Sequence, residues 1–559
     1  MKYYSLSKKQ FFILLLVLWF LINLLQAIYT EINSDEAYYF IYSKHLDWGY
    51  FDHPPMVALL VHISSLFFNG NLGVRFMTVL LQIPTLILIW LQLDKKETDD
   101  NRSVLFYFTI SASLVMFVVY GFTTTPDTPL LFFTALFFYA YKKFLNKGSW
   151  GFSLLMSIAM AGLIYSKYQG LLVIGFIILS NICLLLNSRF QVALMLALAY
   201  YIPHLYWQYI NDFPSFKFQL ISRSEPFEWG YLLEYFPNQL AAFNPFTLTA
   251  VLYVLVRYKP LQKFERAQYF VISGLILFFL ISSFRGHVEP HWTVAASVPI
   301  IILLNNRIVT DGGLRNYVQK FIGGSLILIL IARILLVTNL LPAKLNLWGK
   351  ESRYRAIEKL SESRPVVFSG SYQNPSLYTF FTGNPATVIS SVTTRQTQFD
   401  IVHLEQDWHG KPVFIYGEYE GRSKVYKIDN YEVEGFFADS IQTTNGLKIE
   451  YEIEKDSLRI GDSLSLHLTI ENPTKCDINF ASPDFPIKVQ LVFIGSADVF
   501  KIDGTTMQEI NLLKRNEKIN NEIKFICPVI PKGDYKIGLS CSTIFGPTLN
   551  SNFKNIILF

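Results

Sequence analysis

Charge is what this chain lacks. Only 16% of its 559 residues are Asp, Glu, Lys or Arg, against about a quarter in a soluble globular protein. The shortage falls in the first 345 residues and argues against a soluble fold there. Cysteine is scarce as well: Cys183 lies in an apolar run, and Cys476, Cys527 and Cys541 lie in the C-terminal tail. That excludes a disulfide framework and a metal-type cysteine cluster. One pair in the tail stays open, and an odd count leaves one thiol over. No Gly-rich nucleotide loop, low-complexity segment or clear internal repeat occurs. The net charge of +5 is spread along the chain, so it gives no reason to expect nucleic acid. A cleavable signal peptide is not expected, because the sequence after the first apolar run, QAIYTE, lacks the small-x-small pattern.

Long apolar runs are what the chain has instead. They cover 11–29, 72–93, 103–121, 128–141, 150–165, 170–187, 190–207, 238–256, 267–284, 292–305 and 317–341. Crossing the hydrocarbon core takes about 20 apolar residues in a helix. The pattern therefore predicts a mostly α polytopic membrane protein with about eleven transmembrane helices. If the runs alternate from a cytoplasmic N-terminus, the cytoplasmic segments hold 17 Lys and Arg and the opposite loops five. Basic residues favour the cytoplasmic side, so the C-terminus is expected outside.

After residue 345 the long runs stop, and three domains follow from the composition: a membrane domain over 1–345 and two exoplasmic ones. ESRYRAIEKL and PSLYTFF read as helices, and PVVFSGS, PATVIS and KPVFIYG as strands, which predicts a small α/β domain over 346–428. From 429 to 559 short alternating strands punctuated by NP, GD and PKGD predict a β-sandwich of immunoglobulin-like type. Its bland reading is a structural accessory, and that reading is preferred to a substrate-gripping or partner-binding one.

The unusual polar residues gather in the outward loops. The first loop carries Asp35, Glu36, Asp47, Asp52 and His53; the second carries Asp127, the third Lys167; the fourth holds Arg223 and Glu225 after His204 at its edge; the fifth holds Arg285, His287, Glu289 and His291. Ionisable groups close to hydrocarbon are expensive, so each is a functional candidate. Several have plainer readings: Asp127 could cap the helix opening at Thr128, Lys167 could snorkel to the interface, and His45 and His62 suit interfacial hydrogen bonding. Lys44 and Asp47 read as solvated. Asp35 and Glu36 open an amphipathic, tyrosine-rich helix, where the dipole stabilises negative charge and keeps a carboxylate ionised as a general base must be. The tyrosines read as interfacial anchors. Three basic side chains from separate loops, Lys167, Arg223 and Arg285, suit a phosphate group.

NSDEAYYF with YSKHLDWGYFDHPPMVAL, TTTPDTPLLFF, YSKYQGLLV and RGHVEPHWTVAASVP together resemble the bacterial lipid-linked-sugar glycosyltransferases. These are GT-C fold enzymes of the protein O-mannosyltransferase and aminoarabinose transferase superfamily. The resemblance covers roughly residues 1–345. It implies a membrane-bound, inverting transferase that takes a sugar from a polyprenyl-phosphate donor to an exoplasmic acceptor (protein, lipid or glycan) in a prokaryotic plasma membrane. Carried over by motif, Asp35 matches the catalytic acid position, Glu36 its partner in the acidic pair, and Asp127 a second catalytic acid. Asp52, His53, Lys167, Arg223, Arg285, His287 and Glu289 are the expected substrate contacts. His53 stands where aminoarabinose transferases have Lys. Some relatives bind a divalent metal through an acid in this loop and a distant His, which here would be Asp52 and His204.

A transporter or flippase for a lipid-linked glycan is the alternative from another class. Such proteins place ionisable groups near the bilayer midplane, whereas here Arg75 and Arg333 are the few charges within runs. An inactive relative serving as a scaffold is a third reading, opposed by intact Asp35, Asp127, Lys167 and Arg285.

Overall fold

The computed structural model describes residues 6–94, 100–222, 226–338, 340, 348–419, 421–453, 455–495, 498–506 and 509–559. It divides into two compact units, Met1–Trp348 and Gly349–Phe559.

The first unit is helical. It begins with α1 (Lys8–Tyr29), α2 (Ser34–Lys44), α3 (Met56–Ser65) and α4 (Gly70–Trp90). Ile13, Val17, Leu21 and Leu25 leave an exposed apolar face on α1, while Trp19, Asn23 and Gln26 turn inward. Some polar groups inside the bundle are paired: Trp19 donates to Gln82 Oε1 over 3.2 Å, and Gln82 Nε2 donates to the Phe117 carbonyl over 2.9 Å. The core is dense in aromatic rings, with Tyr107, Phe117, Phe137, Phe138 and Tyr141 fully enclosed.

Among the described residues, five helices are long and apolar enough to cross a membrane singly: Lys8–Tyr29, Gly70–Trp90, Lys263–Arg285, Pro290–Thr310 and Gly312–Val337. A sixth is made if Trp229–Phe243 and Pro245–Arg257, bent by 99°, count as one span. Helix length and composition thus give fewer single-helix spans than the eleven apolar runs suggested. The run at 103–121 breaks at Leu114, whose backbone is extended. The run at 170–187 breaks at Asn181 into Gly170–Ser180 and a short 3₁₀ turn, and Trp150–Ser166 has only 17 residues. The chain is a multi-pass membrane protein with broken as well as continuous helices.

The second unit opens with the helix Lys350–Ser361 and a five-stranded sheet. Strands β1 (Val366–Ser369), β2 (Ala386–Ile389), β3 (Val413–Tyr416), β4 (Lys424–Ile428) and β5 (Tyr431–Ala438) lie in the order β2-β1-β3-β5-β4. The first three are parallel, and β5 returns antiparallel to β3. β5 belongs to this sheet, so the α/β element runs ten residues past the expected boundary at 428. Beyond it a six-stranded and a four-stranded sheet enclose Leu466, Leu468, Ile470, Phe493, Ile523, Ile537 and Leu539. Strand Ser463–Glu471 alternates exposed and buried along its length, the period-two pattern that fixes register against a core. All four cysteines are free; Cys527 and Cys541 are buried.

Candidate active site

The site is built around the start of α2. Asn33 caps the helix: its side chain accepts from the Glu36 N–H over 2.9 Å, and the Glu36 carboxylate reaches back to the Asn33 N–H. This reciprocal capping box satisfies two of the orphan amides of the first turn. Glu36 is wholly buried and receives Arg75 Nε over 2.7 Å and Nη2 over 2.5 Å. It also accepts from the Thr124 N–H over 2.9 Å. Its neighbour Asp35 is exposed. The acidic pair therefore divides: Glu36 is saturated by protein donors, and Asp35 is the carboxylate presented to solvent.

Asp127 is the first residue of the helix Asp127–Lys147, and Pro126 is its N-cap without a side-chain capping bond. The plain reading of Asp127 as a cap at Thr128 is thus replaced. Its carboxylate instead takes the Lys167 ammonium on both oxygens, at 2.8 and 2.9 Å. Lys167 does not snorkel outward; it is 4% exposed and ends the helix Trp150–Ser166 as C-cap. His291 Nε2 lies 3.9 Å from Asp127 Oδ2, and its ring meets Tyr120 edge-on at 6.2 Å. Asp127, Asp35 and Glu289 all act electrostatically on the Tyr120 hydroxyl. So acids from the first, second and fifth loops share one neighbourhood. Arg75 and Tyr120 are not among the expected site residues; Arg75 stands out in the sequence only as one of the few charges within an apolar run, and His291 only as a fifth-loop candidate with no role assigned.

Much of the first loop faces inward, although residues 44–48 are exposed. Tyr38, Tyr39 and Tyr42 are buried, not interfacial anchors, and Tyr42 stacks on Tyr50 with ring centres 4.1 Å apart. Asp52, 6% exposed, accepts a short hydrogen bond from Tyr42 and acts electrostatically on Tyr168. His53 is half-buried and packs its ring against Tyr39. Asp47 is exposed, as expected of a solvated loop acid, and also accepts from Trp207 Nε1 over 2.7 Å. Gly49 lets that indole lie flat against the loop, since a Cβ there would fall 2.4 Å from the ring. His62 Nδ1 is 3.0 Å from the Ser43 carbonyl.

His204 is fully buried. Its Nδ1 lies 2.7 Å from the Trp48 carbonyl and its Nε2 3.2 Å from the Tyr168 hydroxyl. Both ring nitrogens are engaged within the protein, and a metal ligand needs one free lone pair. No group of three or more His, Cys, Asp or Glu suited to a metal occurs among the described residues. The Asp52–His204 pair does not fit a divalent ion, and His204 instead fastens the first loop to the helix Ser188–Ile210.

In the fifth loop His287 sits between Glu234 at 3.1 Å and Glu289 at 3.6 Å. Arg285 is exposed, with no ion-pair partner among the described residues. Arg223 and Glu225 lie outside the described residues.

Residues 52–207 match the family described as dolichyl-phosphate-mannose-protein mannosyltransferase. With the architecture above and the solved structures below, the chain has a GT-C fold. Among individual proteins, it is 23% identical over 295 residues to the lipid A galacturonosyltransferase RgtD of Rhizobium johnstonii, covering 49% of this chain and 60% of that one. The chain thus aligns with less than two thirds of that relative's length. ArnT from Cupriavidus metallidurans shares the fold at 15% identity. The TM-score is 0.53 for its apo form (76% of this chain, 96% of that one) and 0.55 for the form bound to undecaprenyl phosphate (76% and 97%).

Proposed function

We propose that the protein is an integral-membrane glycosyltransferase that moves a hexosyl or pentosyl group from a polyprenyl-phosphate donor to an acceptor outside the plasma membrane. The observation that carries this reading is the pairing of an exposed carboxylate, Asp35, with a buried Asp127–Lys167 ion pair beside Tyr120. The matched family and the polyprenyl-phosphate ligand of the ArnT structure support the donor class. The orientation has the N-terminus cytoplasmic and the second unit outside, with the apolar runs crossing in alternation.

In the proposed reaction the acceptor X–H attacks the anomeric carbon from the face opposite the phosphate. The new X–C1 bond forms as the C1–O(phosphate) bond breaks, so configuration inverts. The acceptor proton passes to Asp35, and polyprenyl phosphate leaves with the bonding pair. Arg285 is the cation open to that phosphate. Lys167, already shared by both Asp127 oxygens, holds Asp127 and adds positive charge behind it. Preorganised charge aimed at the developing anion is typically the largest catalytic contribution. Asp52 and His53 shape the acceptor side, and His287 and Glu289 the fifth-loop wall.

The test is transfer from polyprenyl-phosphate sugars in membranes carrying wild type or Asp35→Asn. Acceptor and sugar are identified by mass spectrometry of glycolipids and glycoproteins from a deletion strain. A positioned base contributes about 10²–10⁴-fold, so D35N is expected to lose at least that much with unchanged membrane expression. Turnover at the wild-type rate would overturn the assignment of Asp35.

A further inference from the structure

Arg75, 1% exposed and 39 residues along the chain from Glu36, makes five hydrogen bonds beside the site. Its Nη1 donates to the Ala27 carbonyl over 3.1 Å and the Thr30 carbonyl over 2.6 Å. Its Nη2 donates to the Glu31 carbonyl over 3.2 Å and to Glu36 Oε2, and its Nε to Glu36 Oε1. The first three bonds tie down the end of α1 and the turn into α2, and the other two clamp α2 itself. Glu36 spends its remaining capacity on Asn33 and on the Thr124 N–H of the second loop. Thr124 is buried in turn: its hydroxyl lies 2.6 Å from that of Thr78 and donates to the Val74 carbonyl over 3.0 Å. Three residues on stands Asp127.

One side chain pair thus joins the end of α1, the start of α2, the middle of the bundle through α4, and the loop leading to Asp127. Consecutive helical residues point about 100° apart. Locking Glu36 inward therefore fixes the outward direction of Asp35. We infer that the Arg75–Glu36 pair is a positioning device, which sets the Asp35 carboxylate against the Asp127 loop without touching substrate. The two adjacent acids then have unlike tasks: one is an anchor and the other the reactive group. Planar, bidentate geometry is what arginine supplies and lysine cannot, so this role predicts a specific intolerance of Arg75→Lys.

The inference rests on the transferase reading above, and its test separates the two. Glu36→Gln, Arg75→Lys and wild type are purified in detergent, assayed as folded, monodisperse protein with polyprenyl-phosphate sugar donor, and followed by amide hydrogen exchange. A displacement of about 1 Å can cost 10²-fold in rate. E36Q and R75K are each expected to lower kcat by about that factor, with the donor KM within about threefold of wild type. The midpoint of the acid limb of the pH–rate profile should stay in place, because Asp35 still titrates. The amides of 123–127 should exchange faster. A kcat within twofold of wild type in both folded variants overturns the inference and leaves the transferase reading intact. Loss of the acid limb in E36Q also overturns it, because Glu36 would then be the base itself. If wild type transfers no sugar at all, the transferase reading falls, and unchanged exchange at 123–127 would overturn the positioning role as well.

Discussion

Replacing Asp127 by Ala would strand the Lys167 ammonium in a setting that is only 4% exposed. Removing one member of a buried pair costs about 3–5 kcal/mol, whereas replacing both by apolar groups of similar volume is often neutral. D127A is therefore expected to lower the thermal midpoint of the detergent-solubilised protein sharply, and D127A/K167M to regain most of it while staying inactive. A double variant as unstable as D127A would contradict the pairing. Asp35, Asp127 and Lys167 were legible in the sequence because ionisable groups beside hydrocarbon stand out. The division of labour between Asp35 and Glu36 was not. Which of two adjacent acids faces inward depends on helix phase, and the phase is set by Arg75, which is 39 residues away. Tyr120 was invisible for a different reason: an aromatic ring near an interface has many ordinary uses, and for the same reason the fifth-loop His291 carried no assigned role.

At the scale of elements, α2 is held by its capping box as well as by packing. An Asn33→Ala change should cost about 1 kcal/mol and speed amide exchange in the first turn of α2, with little effect on helices elsewhere. An unchanged exchange rate there would mean that the Arg75–Glu36 pair alone secures the helix. The helix itself was expected from SDEAYYFIYSK, but its tyrosines were assigned to the membrane interface. They are buried because Tyr42 stacks on Tyr50 and Tyr39 meets His53, contacts that depend on the chain folding back after the end of α2 at Lys44. The same limit applies to spans. Hydropathy marks an apolar run, but not a break such as that at Asn244, where φ is +66° between two prolines, Pro237 and Pro245. In the second unit, the alternation of β5 was readable, but not which of two neighbouring sheets would take it.

For the whole molecule, the proposed orientation makes a direct prediction. In a background lacking Cys183 and Cys476, a cysteine at exposed Lys427 should react with a membrane-impermeant maleimide in intact cells, and one at exposed Lys259 only after lysis. The reverse pattern would invert the topology. The buried charges have an electrical consequence too. Glu36 with Arg75 and Asp127 with Lys167 each sum to zero, and the work a transmembrane voltage does in translating a rigid unit follows its net charge, about 2.3 kcal/mol per elementary charge per 100 mV. An energised bilayer therefore exerts no net pull on either pair as a unit, and sugar transfer in sealed vesicles is expected to run at the same rate with and without an imposed potential. A machine that carried an anionic lipid phosphate across the membrane would have no such indifference.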